Sequence, residues 1–231
     1  MPRFAANLSM LFTEQDFTDR FAAAAAAGFT GVEYLFPYDY PAEEIKARLD
    51  ANKLTQVLFN LPAGDWASGE RGVNCLAGIA PRGADLGELE MTFIENLRYA
   101  AQKLEEAGIR LVMEMINTRD IPRFFLNNTS QAQEIRGKVG HPNLFLQYDI
   151  YHMQIMEGDL ARTIEANLDA INHIQLADNP GRNEPGTGEI NYHFLFEHLD
   201  RIGYQGWVGC EYKPATTTEA GLGWLKSHNA I

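Results

Sequence analysis

The chain has 231 residues, of which 45% are hydrophobic and 22% charged, with a formal net charge of −12. This is ample for a sizeable core, and barrels of this length commonly form one domain, here expected to span residues 1–231. An acidic chain with no Lys/Arg cluster is a poor partner for a phosphate backbone, and no run approaches the roughly 20 apolar residues needed to cross a bilayer.

From the N-terminus, "RFAANLSM" reads as a first strand, with Asn7 and Ser9 breaking the apolar run that a secretory leader would need. "DFTDRFAAAAAAG" follows as an Ala-rich helix closed by Gly28. "GVEYLF" is a second strand, and "PAEEIKARLDANK" a helix with Pro41 in its first turn. "LTQVLFN" and "VNCLAG" read as strands three and four, yet only Pro62 to Gly72 separate them, and "PAGDWASGERG" has no helical period. A long helix, "LGELEMTFIENLRYAAQKLEEAG", then precedes strand five, "IRLVMEMI". "TSQAQEIRGKVG", "GDLARTIEANLD" and "YHFLFEHLDRIG" are helices among strands six to eight, "LFLQYDIY", "INHIQLA" and "GWVGCEY". Cys75 and Cys210 lie inside apolar runs, the usual place of reduced thiols, which makes a cytoplasmic home the expectation.

Strands alternating with helices pair in parallel, and eight strands close a TIM (β/α)8 barrel. The helix between strands three and four is missing from the pattern. An open doubly wound sheet would begin with a Gly-rich phosphate turn, and "NLSMLFTEQD" is not one.

Four polar residues stand where barrel strands are normally apolar: Glu114, Asp149, Gln175 and Glu211. Each lies at or near the C-terminal end of one of the four successive strands five to eight, the face that carries catalytic groups in such barrels. Three buried carboxylates repel one another unless a cation sits among them. Oxygen ligands suit a hard divalent ion, Mg²⁺ or Mn²⁺, better than Zn²⁺. His152, Arg182 and Lys213 lie nearby in sequence and could hold an anionic substrate. Glu33 and Asn7 lie in strands two and one. His173 shares a strand face with Gln175 and is expected to be a packing residue.

"RFAANLSMLF", "GVEYLFPY", "QYDIYHMQIMEGD", "HIQLAD" with "GRNEPGTGEINY", and "GYQGWVGCEYKP" together resemble the hydroxypyruvate isomerase family of xylose-isomerase-like TIM barrels. The closely similar 2-oxo-tetronate isomerases share these motifs. The resemblance covers nearly the whole chain. It implies a divalent metal held by Glu114, Asp149, Gln175 and Glu211, with His152 and Arg182 at substrate-contacting positions. Arg182 stands one residue later than in the related sugar epimerases, which carry His where Gln175 stands. The resemblance further implies conversion of hydroxypyruvate to tartronate semialdehyde through an enediolate, with Glu114 and Glu211 dividing the acid and base roles. Members of the family carry a loop and helix between "GERG" and "VNCLAG", so this unit is either absent from the chain or skipped in its sequence.

The rival readings are a 2-oxo-tetronate isomerase or a sugar 3-epimerase, a non-catalytic small-molecule-binding barrel, and an endonuclease IV-like phosphodiesterase. The last would need a His-rich multi-metal cluster and a basic surface. Loss of a covering helix exposes apolar strand faces, so a homo-oligomer is expected, with Pro62 to Gly72 at or beside its interface.

Overall fold

The computed structural model describes residues 2–60 and 74–227. Within these the elements alternate: β1 (Arg3–Asn7), α1 (Arg20–Ala26), β2 (Gly31–Tyr34), α2 (Ala42–Asn52), β3 (Thr55–Phe59), α3 (Leu86–Glu106), β4 (Leu111–Glu114), α4 (Thr129–Val139), β5 (Leu144–Asp149), α5 (Ile150–Met156), α6 (Leu160–Ala166), β6 (Ile171–Leu176), α7 (Tyr192–Arg201), β7 (Trp207–Cys210), α8 (Thr218–Gly221) and α9 (Gly223–Ser227). None of the helices is long and apolar enough to cross a membrane. The strands expected fifth to eighth in the sequence are therefore β4 to β7. Of the expected fourth, "VNCLAG", the described residues form one parallel bridge, Asn74 to Val112. Residues 61–73, which include the whole Pro62 to Gly72 crossover and Val73, lie outside the described residues.

The chain forms two compact units, Met1–Phe59 with His173–Ile231, and Asn60–Asn172. In the first, parallel strands lie in the order β3-β2-β1-β7-β6. β1 is central and β7 pairs with it through Ala5↔Gly209 and with β6 through Gln175↔Gly209. Side chains two apart on a strand share a face, so His173 and Gln175 point the same way. The β2–β3 register slips between Val32 and Glu33, a bulge of the kind that re-aims a side chain. Helix packing on this unit is aromatic: Phe4 meets Phe196 edge-on at 5.1 Å and Trp224 at 5.2 Å.

In the second unit β4 and β5 pair in parallel from Leu111↔Leu144 to Glu114↔Gln147. The long α3 is capped by Asp85, whose side chain accepts from the Gly87 and Glu88 amides, and it buries Phe93, Ile94, Leu97 and Ala101. This is a 3.6-residue apolar stripe facing a core. Gly108, at φ 68°, takes the left-handed turn that ends it.

Two local expectations shift. Pro41 caps α2 from outside, one residue before its first turn. "DIYHMQIM", read as the tail of a strand, is α5: Asp149 Oδ1 accepts the Tyr151 amide at 2.8 Å and so stops β5 and starts the helix in one step.

Candidate active site

The second unit holds the carboxylate-rich cluster. Glu114 is the last residue of β4 and Asp149 the last of β5, and α5 carries His152 one turn beyond. All three are buried, and each presents one atom, the three atoms lying within 4.8 Å of one another. His152 Nε2 stands 3.5 Å from Asp149 Oδ2 and 4.0 Å from Glu114 Oε1. Asn74, on its single bridge, donates its amide to Glu114 Oε2 at 2.8 Å.

Behind His152 lies a polar network among Asn117, Asp120 and Tyr151. Asn117 is wholly buried, its Nδ2 2.7 Å from His152 Nδ1 and 3.0 Å from Asp120 Oδ2. Tyr151 donates its hydroxyl to the same Asp120 oxygen at 2.8 Å. Asp149 is doubly engaged, since Oδ1 caps α5 while Oδ2 faces the imidazole. Two carboxylates and an imidazole in so small a space are a chemically sensible donor set for a divalent cation.

The first unit holds Gln175, Glu211, Arg182 and Lys213. Gln175 is buried near the end of β6, and its Nε2 donates to Glu33 Oε1 at 2.8 Å. A carboxylate oxygen accepts, so this contact fixes which end of the amide is the nitrogen. Glu33 also receives His173 Nε2 at 2.7 Å and Asn7 Nδ2 at 3.0 Å. His173, expected to be a packing residue, is buried, and it packs by pairing with Glu33. Gly209 leaves the room this carboxylate occupies: a Cβ there would lie 2.3 Å from Glu33 Oε2. Such a glycine within a strand marks a close approach.

Glu211 follows β7 directly, buried, with Oε2 accepting from Arg182 Nη2 at 2.8 Å and Oε1 3.5 Å from Asn7 Nδ2. Arg182 reaches it from the loop after β6, where it adopts φ 53°. That loop is wound around Asp178, which is fully buried and accepts four backbone N–H groups. Oδ1 takes Asn179 and Ile190, at 2.9 and 3.1 Å, and Oδ2 takes Gly186 and Gly188, both at 2.9 Å. The Lys213 amide donates to the Arg182 carbonyl at 2.8 Å, tying this loop to the one after β7. The Lys213 side chain is exposed.

The structure thus gathers Glu114, Asp149 and His152 in one cluster, and Glu211 with Arg182 in another, joined to Gln175 through Asn7 and Glu33. Sequence reading missed Asn74, Asn117, Asp120, Tyr151 and Asp178. One signal for Asn117 was present: in "MINTRD" an Asn directly after an apolar run, with polar residues following, is a side-chain-capped turn.

The Xylose isomerase-like TIM barrel family model matches residues 67–228. The hydroxypyruvate isomerase of Escherichia coli (strain K12) is 51% identical, covering 97% of this chain and 98% of that one. The 2-oxo-tetronate isomerase of Cupriavidus necator is 48% identical, covering 99% of each. That alignment runs over 257 positions against 231 residues, so at least 26 positions have no residue in this chain. A crystal structure named AP endonuclease, family 2, from Brucella melitensis superposes with a TM-score of 0.93 at 46% identity, over 99% of each chain. With a family model over most of the chain and isomerases near half identity from end to end, the chain belongs to the hydroxypyruvate isomerase family of xylose isomerase-like TIM barrels, a family of isomerases.

Proposed function

We propose that this isomerase is metal-dependent and converts hydroxypyruvate to tartronate semialdehyde through an enediolate. The reaction moves two protons between neighbouring carbons and their oxygens: a base takes one from the hydroxymethyl carbon and an acid returns one to the former carbonyl carbon, while the hydroxyl proton passes from the first oxygen to the second. Glu114 and Glu211 are the groups for this exchange. Each is a buried carboxylate at a strand's C-terminal end, with one oxygen oriented by a fixed donor, Asn74 or Arg182. A positioned base of this kind contributes about 10²–10⁴-fold.

Glu114, Asp149, Gln175 and Glu211 would hold the cation, Mg²⁺ or Mn²⁺. Its chemistry is to polarise the substrate carbonyl and to fix the reacting oxygens. The single observation that carries the reading is the buried Glu114–Asp149–His152 group in a chain about half identical to two such isomerases. His152 and Arg182, with Lys213, bind the substrate's oxygens and carboxylate. The neighbouring substrate, a 2-oxo-tetronate, differs by a longer chain, and a side-by-side kcat/KM comparison separates the two. Treatment with EDTA should abolish turnover and Mg²⁺ or Mn²⁺ restore it. Full turnover in a demonstrably metal-free sample refutes metal dependence.

The name of the Brucella melitensis structure favours a second reading, phosphodiester cleavage at abasic sites. The acidic balance of the chain opposes it, since −12 repels DNA. A nicking assay on abasic duplex, run beside the isomerase assay, decides between them.

A further inference from the structure

His152 faces two carboxylates, so by composition it is a candidate third ligand in the Glu114–Asp149–His152 group. Whether it can serve depends on which ring nitrogen carries hydrogen, since an imidazole binds a cation through a lone pair. The hydrogen bonds around Asn117 answer this. Asn117 Oδ1 lies 3.0 Å from the Arg119 amide and 2.7 Å from the Asp120 amide. Backbone N–H groups only donate, so this end of the side chain is the oxygen. The other end is then the NH₂ group, and its two hydrogens have two destinations, Asp120 Oδ2 at 3.0 Å and His152 Nδ1 at 2.7 Å. An amide nitrogen has no lone pair to offer. His152 Nδ1 must accept.

We propose that Asn117 is a positioning residue that locks His152 in the tautomer with hydrogen on Nε2, which makes the imidazole already read as a substrate contact a hydrogen-bond donor and leaves Nε2 no lone pair for a cation. Any ring form with hydrogen on Nδ1 would set it against the amide hydrogens across 2.7 Å, in a site where Asn117 is 0% and His152 2% exposed. Reversing the amide is blocked in turn, because its NH₂ would then face two backbone N–H groups. Tyr151 adds a second anchor by donating to the Asp120 oxygen that receives Asn117. The Nε2 hydrogen points to the side occupied by Glu114 and Asp149, where a developing substrate oxyanion would welcome a donor. The donor role rests on the isomerase reading given above; the tautomer does not.

The test is long-range ¹H–¹⁵N correlation on protein labelled at histidine nitrogens, without metal or substrate, the His152 signals being identified by their loss in His152→Gln. The wild type should show Nε2 protonated and Nδ1 bare. A protonated Nδ1 overturns the proposal without any variant. The exchanged pair Asn117→Asp with Asp120→Asn keeps shape and net charge, and leaves a carboxylate oxygen for the two backbone amides. It also places an acceptor against Nδ1, so the tautomer should invert. Turnover should then fall about 10²-fold or more while Mn²⁺ affinity, measured by calorimetry, does not weaken. An inverted tautomer with unchanged kcat overturns the donor role. A wild type that turns over no hydroxy-carbonyl acid would defeat the isomerase reading, and with it the donor role, while the spectrum still judges the tautomer.

Discussion

Replacing Gly209 with alanine is the sharpest small perturbation this structure offers. The added methyl would lie 2.3 Å from Glu33 Oε2, 2.4 Å from Oε1 and 2.5 Å from Cδ. Ordinary contact requires at least about 3.4 Å, so the carboxylate must retreat by roughly 1 Å. It cannot do so and keep His173, Gln175 and Asn7 at 2.7, 2.8 and 3.0 Å. Each hydrogen bond to a charged group contributes about 1.5–3 kcal/mol, and overpacking alone costs about 1–3 kcal/mol. The opposing gain from stiffening the unfolded chain is only about 0.4–1 kcal/mol. If one bond is lost and the others strain, the net cost is about 2–5 kcal/mol. In a chain of this length each kcal/mol moves Tm by about 2–4 °C, which gives a fall of about 4–20 °C by calorimetry in metal-free buffer. The same substitution made in a Glu33→Ala background removes the clash and should cost far less there. An equal cost in both backgrounds, or a Tm within about 2 °C of wild type for Gly209→Ala alone, would show that Glu33 does not fill the space beside Gly209.

Other outcomes follow from the same groups. Glu211→Gln keeps the shape and one acceptor oxygen while removing basicity, so kcat should fall about 10²–10⁴-fold, far more than Mn²⁺ affinity; wild-type kcat would reduce Glu211 to at most a spectator ligand. Burial pushes the Cys75 thiol up to about 11 and also raises the Cys210 thiol well above its usual range. A raised thiol pKa means less thiolate below it, so at pH 8 Cys75 should alkylate about 10²-fold more slowly than in the unfolded chain, and Cys210 more slowly too, read by mass spectrometry against time. Equal rates would place them at the surface. The short crossover predicts a homo-oligomer, and sedimentation of a folded monomer at micromolar concentration, with an intact mass of 25.9 kDa, would remove that expectation.

The periodicity that reveals strands was strong where both faces are covered. β4, β5, β6 and β7 all lie inside the runs read from the sequence, because buried parallel strands are nearly continuous apolar stretches. The same logic exposed Glu114, Asp149, Gln175 and Glu211, since an ionisable or amide group in such a run has to be explained. It overreached at "VNCLAG", where Asn74 alone bridges β4 and residues 75–78 are only half-buried. An apolar run needs a partner edge to become a strand, and local pattern does not report one. It also missed α5, because Asp149 serves as both the last strand residue and the helix cap. The orienting partners were the least legible. Asn74 reaches Glu114 across 40 positions and His173 reaches Glu33 across 140, separations that no window of sequence spans.

What those partners share is chemical. Asn74 on Glu114, Asn117 on His152, and Asn7 with Gln175 on Glu33 are all side-chain amides. An amide has one end that only donates and one that only accepts, so it dictates which lone pair its neighbour keeps. It does this without adding charge. A lysine in the place of Asn74 would orient Glu114 equally well, but it would also neutralise the carboxylate and compete with a cation for the same oxygens. Glu211 is the contrast, because its partner is the Arg182 guanidinium, held by a loop that Asp178 pins from below through four backbone amides. A rigid loop is the right mount for a charge that must not collapse further onto its carboxylate, since an untethered arginine would follow the Coulomb attraction wherever it led. Neutral orienting groups around Glu114 and a tethered cation beside Glu211 give the two carboxylates different electrostatic surroundings, which under the proposed reaction would suit them to unlike proton-transfer roles.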